Sequence, residues 1–382
     1  MDFSWSREQL ELKQKATDFA QKHLNTNVSH KERGNIFPSD EWKKCADFGV
    51  LGWPFPKEFG GGGHDIMTTV LMLEGLGYGS EDNGLPFSLN SQMWSTQVAI
   101  NAFGSEEQKK KYLKPLISGT VGAFGITEND TAGSDTYSLQ MTAEKTEGGY
   151  ILNGEKHYIT LAPICEMAVV FATTNPKLGR WGITAFIVDS SMKGFSRSEV
   201  RDKVGMRTTP MGNLYLKDCF VPDENRLGKE GSGLSLFTSA MESERGYIFA
   251  SQIGRMQKQL ENAISYSNER KSFGQNIGGF QSVSNRIANM KLRLETSKMH
   301  LYKVAYLDHN DLPLMEEAAM AKLYISEAFV ESSTDIIRIF GAKGVVTEYE
   351  IERDLRDGLG GLIYSGTSDI QRNIIAKLNG VQ

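Results

Sequence analysis

The chain has little cysteine and no apolar run long enough to cross a membrane. Its three cysteines, Cys45, Cys165 and Cys219, lie far apart and form no CxxC pair, which argues against a disulfide scaffold and against a zinc site. The most apolar segment, MAVVFA at 167–172, has the length of a buried strand. We therefore expect no metal site and a location in a reducing cytoplasm.

The chain also lacks a large excess of charge of one sign. Its 382 residues carry a formal net charge of −5, which gives no electrostatic basis for binding nucleic acid or an anionic membrane. The first segment, MDFSWSREQLELKQ, has neither the basic nor the apolar region of a signal peptide. No strand is followed by GxGxxG and a helix, so a Rossmann nicotinamide site is not supported.

Hydrophobic periodicity divides the chain into three stretches. Residues 1–118 and 231–382 show the apolar spacing of helices, whereas 119–230 contain short β segments separated by Gly, Asn and Pro. A chain of this length is expected to form two or three domains. The pattern predicts an α+β multidomain protein, with a small antiparallel barrel or sandwich between two helical domains. The last domain has long helices with short connections, which is typical of an antiparallel bundle.

One acidic residue lies on the apolar face of a predicted helix. The apolar positions of this helix are Leu234, Phe237, Met241 and Ile248. Glu244 divides the last interval into three and four residues, so it shares their face. A carboxylate there is costly unless it is paired, neutralised or functional. The pattern leaves two hypotheses open: a structural ion pair, for instance with Arg245, or a general base with a raised pKa.

Two segments at the ends of predicted strands are rich in small and hydroxyl-bearing residues. They are TENDTAGSD at 127–135 and NGEKHYIT at 153–160. A flavin needs backbone N–H groups at the ring edge that gains negative charge on reduction, a donor near N5, and donors for its diphosphate. Loops of this composition can present such donors, although the same residues also favour ordinary β turns.

Together these two segments resemble the TEPxAGSD and GxKxWITN motifs of the acyl-CoA dehydrogenase family. Further resemblance to this family is carried by VGMRTTPMGNLYLKDCFVPDENRLG (204–228), ERKSFGQNIGGFQSVSNRIANM (269–290), RIFGAKG (338–344) and YSGTSDIQR (364–372). The match covers essentially the whole chain. It implies the family's fold, with an N-terminal α-helical domain (1–118), a middle antiparallel β-barrel (119–230) and a C-terminal four-helix bundle (231–382). It also implies FAD as cofactor and a homotetramer.

The resemblance implies an FAD site assembled from all these segments. The expected FAD-binding residues are Phe124, Ile126, Thr127, Gly133, Ser134, Tyr158, Thr160, Arg270, Ser272, Phe273, Gln281, Arg338, Gly341, Thr367 and Asp369. Ile126 and Thr127 are assigned to the pyrimidine edge, Thr160 to N5 and Tyr158 to the ring face. The first motif is one residue longer than in the family, which leaves the loop path around 129–131 open.

The remaining assignments concern the rest of the cofactor. Ser134 is placed at the diphosphate or the acyl-thioester side. Arg270, Ser272 and Phe273 are expected at the diphosphate and adenine, where an arginine supplies a fixed charge and a planar fork. The segment 338–344 would meet the FAD of a neighbouring subunit.

The resemblance also assigns the catalytic base. Many members of the family carry it as the glutamate of YEGTS, a position that Ser365 occupies in this chain, and a hydroxyl is too weak a base for a carbon-bound proton. The segment SERGYIFASQIG at 243–254 resembles the helix of isovaleryl-type dehydrogenases, whose base is the glutamate before arginine. The expected base is therefore Glu244, and the expected substrate-binding residues are Ser134, Glu244 and Arg245.

A narrower resemblance concerns the substrate. FQSVSNRIANMKLRLE at 280–295, TNPKLG at 174–179 and SGTSDIQ at 365–371 resemble prolyl-carrier-protein dehydrogenases. The expected function is FAD-dependent α,β-dehydrogenation of an acyl thioester, L-prolyl on an acyl or peptidyl carrier protein, in natural-product biosynthesis. The alternatives are a short branched-chain acyl-CoA dehydrogenase of isovaleryl type and a catalytically inactive flavoprotein scaffold.

Overall fold

The first part of the chain is helical, as its periodicity predicts. The computed structural model describes residues 4–129, 131 and 133–381. The helices are Arg7–His23 (α1), Val28–Arg33 (α2), Ser39–Phe48 (α3), Ile66–Gly79 (α4), Gly84–Ser91 (α5), Val98–Phe103 (α6), Glu106–Gln108 (α7) and Lys114–Ile117 (α8). The first helix begins with a capping box, because Ser6 Oγ accepts from the Gln9 N–H and Gln9 Oε1 accepts from the Ser6 N–H.

Helix α4 is apolar on nearly all sides because it is buried between other elements. Its residues Val70, Leu71, Leu73 and Leu76 are at most 1% exposed, which is the pattern of a helix without a solvent face. A Cβ at Gly77 would lie 1.8 Å from the Ser251 carbonyl oxygen. The close contact between α4 and the C-terminal part of the chain therefore requires glycine at this position.

The middle of the chain forms one sheet. Its strands are Gly122–Gly125 (β1), Thr142–Thr146 (β2), Gly149–Thr160 (β3), Met167–Thr173 (β4), Ile183–Asp189 (β5), Phe195–Arg197 (β6), Met211–Pro222 (β7) and Arg226–Leu227 (β8). They are ordered β6-β7-β3-β2-β4-β5-β8, with β1 beside β4. All seven residues of β4 are buried, so the apolar run at 167–172 is the buried strand that the sequence predicts.

The sheet is mixed, whereas the sequence predicts antiparallel pairing. Five of the strand pairs are antiparallel, but β1 and β2 both pair with β4 in parallel. A period of two in the side chains reports which face is buried and is the same for both directions. Strand direction therefore has to come from the path of the chain.

The last part of the chain returns to helices, which confirms the predicted order of helical, β and helical domains. They are Gly233–Tyr247 (α9), Ala250–Glu269 (α10), Gln281–His309 (α11), Met315–Phe340 (α12), Arg353–Gly361 (α13) and Ser368–Leu378 (α14), with a hairpin of Lys271–Ser272 (β9) and Gln275–Asn276 (β10) between α10 and α11. Helices α9 to α12 pack against one another as the expected bundle. We propose 118/119 and 230/231 as domain boundaries, because both lie in connections between elements.

A buried cluster of hydrogen bonds joins all three domains. Asn83, which precedes α5, donates to Asp354 Oδ1 at 2.8 Å and to Asp357 Oδ2 at 2.9 Å. Arg255 Nε on α10 donates to Asp354 Oδ1 at 2.9 Å, and the Met206 N–H of the middle domain donates to Asp357 Oδ1 at 2.5 Å. Because both carboxylates are buried, each depends on these partners for its stability.

We expect Asp354→Ala to lower the free energy of unfolding by about 3–5 kcal/mol, because it leaves the mostly buried Arg255 without its partner. Urea denaturation followed by circular dichroism measures this at a fixed protein concentration. The control is Asp47→Ala, which removes a pair between Lys43 and Asp47 whose side chains are 75% and 63% exposed and should change stability little. Equal effects of the two substitutions would contradict the role of the cluster.

Candidate active site

Helix α9 connects the β sheet to the predicted base. Its Phe237 ring lies 6.2 Å from Phe124 on β1 and 5.8 Å from Phe171 on β4, between ring centroids. Glu244 follows Phe237 by seven residues and so lies on the same face of the helix, about 10 Å further along its axis. The carboxylate is thus two turns beyond the contact of α9 with the sheet.

The surroundings of Glu244 differ from those of a structural ion pair. Ser365 Oγ donates a hydrogen bond to Glu244 Oε1 at 2.5 Å. Among the described residues no ion pair to Glu244 is found, and the neighbouring Arg245 instead donates from Nε to the Ser365 carbonyl oxygen at 3.1 Å. Burial raises the pKa of Glu244, while Ser365 and the charges of Arg245 and Lys322 act in the opposite direction.

Lys322 on α12 is a residue near this site that the sequence analysis missed. It is fully buried, and its Nζ has no hydrogen-bond partner among the described residues. Burial lowers its pKa to about 7, against the charge of Glu327. The signal was available, because Lys322 lies between Ala318 and Ile325 on an apolar stripe of α12, as Glu244 does on its own helix.

The residues expected at the flavin ring come together where β1 ends beside β3. The Thr127 carbonyl accepts from the His157 N–H at 2.8 Å, which places Thr127 against the second motif. The strand β3 bulges between Lys156 and Ile159, and Tyr158 there has φ of +59°. Tyr158 is 49% exposed, because a bulge can redirect a side chain away from the sheet. Phe124, Ile126, Thr127, Tyr158 and Thr160 thus form one group.

A buried ion pair anchors the loop that follows β1. Lys156 Nζ donates to Glu128 Oε1 at 2.7 Å and to the Ile126 carbonyl oxygen at 3.2 Å. Glu128 also accepts from the N–H groups of Gln140 and Met141. Burial lowers the pKa of Lys156 to about 8. Burial also opposes ionisation of Glu128, but Lys156 holds the pKa of that carboxyl below its ordinary value.

The tip of this loop carries two predicted site residues, Gly133 and Ser134, and both are exposed. Within the interval 129–131, whose path the sequence leaves open, Asp130 lies outside the described residues. Leu161, which stands where the family motif has asparagine, has φ of +65° and follows β3.

The other predicted FAD residues form a separate group. Arg270, Ser272 and Phe273 belong to the hairpin between α10 and α11, where Phe273 is 95% exposed. Gln281 begins α11. The Tyr266 ring stacks on Phe340 at 4.1 Å, which brings the hairpin close to Arg338 and Gly341 at the end of α12. Among the described residues, no hydrogen bond, ion pair or ring contact joins this group to the flavin-ring group.

Two predicted residues lie at the start of α14, just after Ser365. Thr367 Oγ1 accepts from the Ile370 N–H at 3.2 Å and caps the helix. Asp369 is exposed and pairs with Arg372 at 3.1 Å. Both are thus near the base, Thr367 as a cap and Asp369 at the surface.

A small cavity lies one turn beyond Glu244 on α9. Its lining consists of Gly77, Asp82, Asn83, Pro86, Phe87, Ile248, Ser251, Gln252 and Tyr364. Gln252 is 6% exposed, and neither atom of its amide group, nor the Tyr364 hydroxyl, has a hydrogen-bond partner among the described residues. Unpaired buried polar groups are uncommon and mark a place where a ligand or water can bind. Gln252 is recognisable only from its neighbours in the fold.

Comparison with known proteins agrees with this architecture. The profiles of the acyl-CoA dehydrogenase N-terminal, middle and C-terminal domains match residues 6–120, 123–219 and 231–378. The chain belongs to the acyl-CoA dehydrogenase family. The resemblance of the sequence to this family, and the fold that it implies, are confirmed.

Three relatives are similar over nearly the full length. An L-prolyl-[peptidyl-carrier protein] dehydrogenase of Serratia sp. (strain ATCC 39006) is 38% identical over 100% of this chain and 99% of that protein. The crystal structure of the prolyl acyl carrier protein oxidase AnaB is 46% identical, with a TM-score of 0.97 over 99% and 100% of the two chains. A structure of PigA with FAD and proline is 38% identical, with a TM-score of 0.97 over 100% of both.

The narrower resemblance of the sequence is confirmed by the same relatives. It predicts a likeness to prolyl-carrier-protein dehydrogenases, and both the dehydrogenase of Serratia and the prolyl acyl carrier protein oxidase AnaB show this likeness.

We expect Lys156→Met to lower the free energy of unfolding by about 3–5 kcal/mol, because Glu128 is left buried without a cation. Urea denaturation measures the loss. The matched control is Lys145→Met, which breaks the pair with Asp223, whose side chains are 53% and 47% exposed, and should cost little. If both variants unfold at the same urea concentration, the buried pair does not hold the loop.

Proposed function

We propose that the protein is an FAD-dependent dehydrogenase of acyl thioesters, and that it oxidises L-prolyl carried on an acyl or peptidyl carrier protein in natural-product biosynthesis. The observation that carries this proposal is Glu244, a carboxylate on the apolar face of α9 whose only hydrogen bond among the described residues comes from Ser365. Support for the substrate comes from the prolyl-carrier-protein relatives.

The residues present fit FAD. Next to the end of β1, Tyr158 has a left-handed backbone and an exposed side chain. Such strained backbone is common at ligand sites, and the exposed aromatic ring can stack on the planar ring of the flavin. Ile126, Thr127 and Thr160 would hold the ring edge. Arg270 would pair with the diphosphate. When bound, FAD supplies a hydride acceptor, its N5 atom.

The chemistry that this chain's own residues perform is proton removal and substrate orientation. Glu244 takes the α-proton of the thioester, and the hydride leaves from the β-carbon, so that a double bond forms between the two carbons. A partly buried carboxylate whose pKa is raised by desolvation is a stronger base than one in water. Arg245 is proposed to help hold the substrate, together with Ser134.

The preference for the prolyl group over an isovaleryl group rests on the prolyl-carrier-protein relatives. The cavity beside Gln252 and Tyr364 has a volume of about 10 Å³, which is room for one water molecule that could pair with their buried polar atoms.

Partners and location follow from the same proposal. Phe273 is 95% exposed in the single chain, and the group around Arg338 and Gly341 lies apart from the flavin-ring group. A second copy that supplies this group to the FAD of its neighbour would explain both features, and the resemblance to the family makes the proposed assembly a homotetramer. A carrier protein with a phosphopantetheine arm is the proposed partner and the cytoplasm the proposed location. None of the described helices has the length and hydrophobicity to cross a bilayer.

We expect anaerobic titration with L-prolyl carrier protein to bleach the flavin absorbance of the purified protein. Isovaleryl-CoA should leave it unchanged, and Glu244→Gln should abolish bleaching because an amide cannot accept the proton. The control is Glu348→Gln, at an exposed position, which should bleach like the wild type. Mass spectrometry of the carrier arm identifies the product.

The remaining outcomes of this titration distinguish the alternative functions. Bleaching by isovaleryl-CoA alone would favour the branched-chain acyl-CoA dehydrogenase. A protein that binds flavin but is bleached by neither substrate would be the inactive scaffold. Bleaching at the wild-type rate by Glu244→Gln would show that another group is the base.

The raised pKa of Glu244 predicts the pH dependence of flavin reduction. The base acts in its ionised form, and burial keeps its pKa above the ordinary value of 4.5. The rate at saturating substrate should therefore fall as the pH decreases through a midpoint above 4.5. Anaerobic stopped-flow measurements of the wild type and Glu348→Gln should give the same midpoint. A midpoint at or below 4.5 would contradict the environment of Glu244.

A further inference from the structure

The serine next to the proposed base is held in place by two helices. Ser365 lies in a left-handed turn with φ of +58°, followed by Gly366 with φ of +88°. Its carbonyl oxygen accepts from Arg245 Nε on α9 at 3.1 Å and from Gln371 Nε2 on α14 at 3.1 Å. Gln371 also donates to the Gly366 carbonyl at 2.9 Å. These bonds fix the direction of the Ser365 side chain.

That direction is toward Glu244. The Ser365 hydroxyl donates to Glu244 Oε1 at 2.5 Å, a distance typical of a strong bond from a hydroxyl to a carboxylate. Among the described residues no hydrogen bond reaches Oε2. One oxygen of the carboxylate is therefore engaged, and the other is available.

We propose that Ser365 is a positioning residue, which holds Glu244 by Oε1 so that Oε2 accepts the α-proton of the substrate. This inference rests on the proposed function, in which Glu244 is the base. Ser365 itself does not exchange a proton with the substrate.

The bond also affects which form of Glu244 is populated. A donor to a carboxylate favours the ionised form and opposes the effect of burial. The other titratable or charged groups that interact with the carboxylate are Arg245 on α9, Lys322 on α12 and Tyr364 beside Ser365, while Glu242 and Glu327 act on Arg245 and Lys322. Two of them, Arg245 and Lys322, are cations that favour the ionised form as well, but neither makes a hydrogen bond to Glu244.

The identity of residue 365 is coupled to the position of the base. A glutamate at 365 would place a second carboxylate against Glu244, and two carboxylates in contact share a proton, so that one of them is no longer a base. A serine avoids this repulsion and supplies a donor instead. Serine at 365 is therefore compatible with a glutamate base at 244, whereas glutamate at 365 is not.

The test uses Ser365→Ala and Ser365→Gly. Both remove the donor, but glycine adopts positive φ without strain whereas alanine keeps the strain of the wild type. We expect both to shift the acidic limb of flavin reduction upward by about one pH unit, which corresponds to a rate about tenfold lower on that limb. The rate at high pH should fall as well, because Glu244 is no longer held toward the substrate, whereas the KM for L-prolyl carrier protein should change much less.

A second readout does not depend on turnover. The infrared carboxyl band of Glu244, isolated as the difference between each protein and the same protein carrying Glu244→Gln, reports its ionisation as a function of pH. We expect the same upward shift of the pKa in Ser365→Ala and Ser365→Gly. If the wild type is not reduced by L-prolyl carrier protein, the proposed function fails, while the infrared titration still decides whether Ser365 controls Glu244.

The control is Ser191→Ala, which removes a hydroxyl-to-carboxylate bond of the same 2.5 Å length to Asp189 at an exposed turn. It should leave both the infrared pKa and the pH profile unchanged. An unshifted pKa of Glu244 in both Ser365 variants would overturn the proposal. A shift only in Ser365→Gly would overturn it too, because Ser365→Ala also lacks the donor while keeping the backbone strain of the wild type, so the effect would come from the relaxed backbone and not from the missing donor.

Discussion

The structure depends on how the charge of one partly buried carboxylate is stabilised. Glu244 lies on the apolar face of α9, where an unpaired charge is costly. The charge is stabilised by a single hydrogen bond from Ser365 and by two cations, Arg245 and Lys322, which act at longer range. This solution leaves one carboxylate oxygen accessible, which a close ion pair would not. A general base needs a carboxylate whose pKa is raised by desolvation and which keeps one oxygen free to accept a proton.

The rest of the fold holds the elements around this carboxylate. Helix α9 touches the sheet through Phe237 and reaches Ser365 with its second half. The bonds of Asn83, Asp354 and Asp357 tie the three domains to each other. Since Asp354 and Asp357 precede Ser365 by 11 and 8 residues, the same cluster also fixes the segment that carries the serine.

Much of the architecture was predictable because it is local in the sequence. Helices and strands follow from the apolar period, and the buried strand at 167–172 was found by its composition alone. The apolar stripe of α9 also predicts that Glu244 is a special residue, since a charged residue on an apolar helix face can be recognised from the spacing in the sequence. Strand direction was not predictable in this way, because parallel and antiparallel strands have the same side-chain period.

The sequence by itself determined the order of the domains, the family, and the helix face on which the candidate base lies. Only the tertiary structure decided what surrounds that base. Ser365 follows Glu244 by 121 positions and Lys322 lies on yet another helix, so their proximity arises from packing and leaves no periodic signal. The same holds for Gln252, whose unpaired amide is recognisable only once its neighbours are known. A residue's type and spacing show that its charge needs partners, whereas the partners themselves are set by the fold.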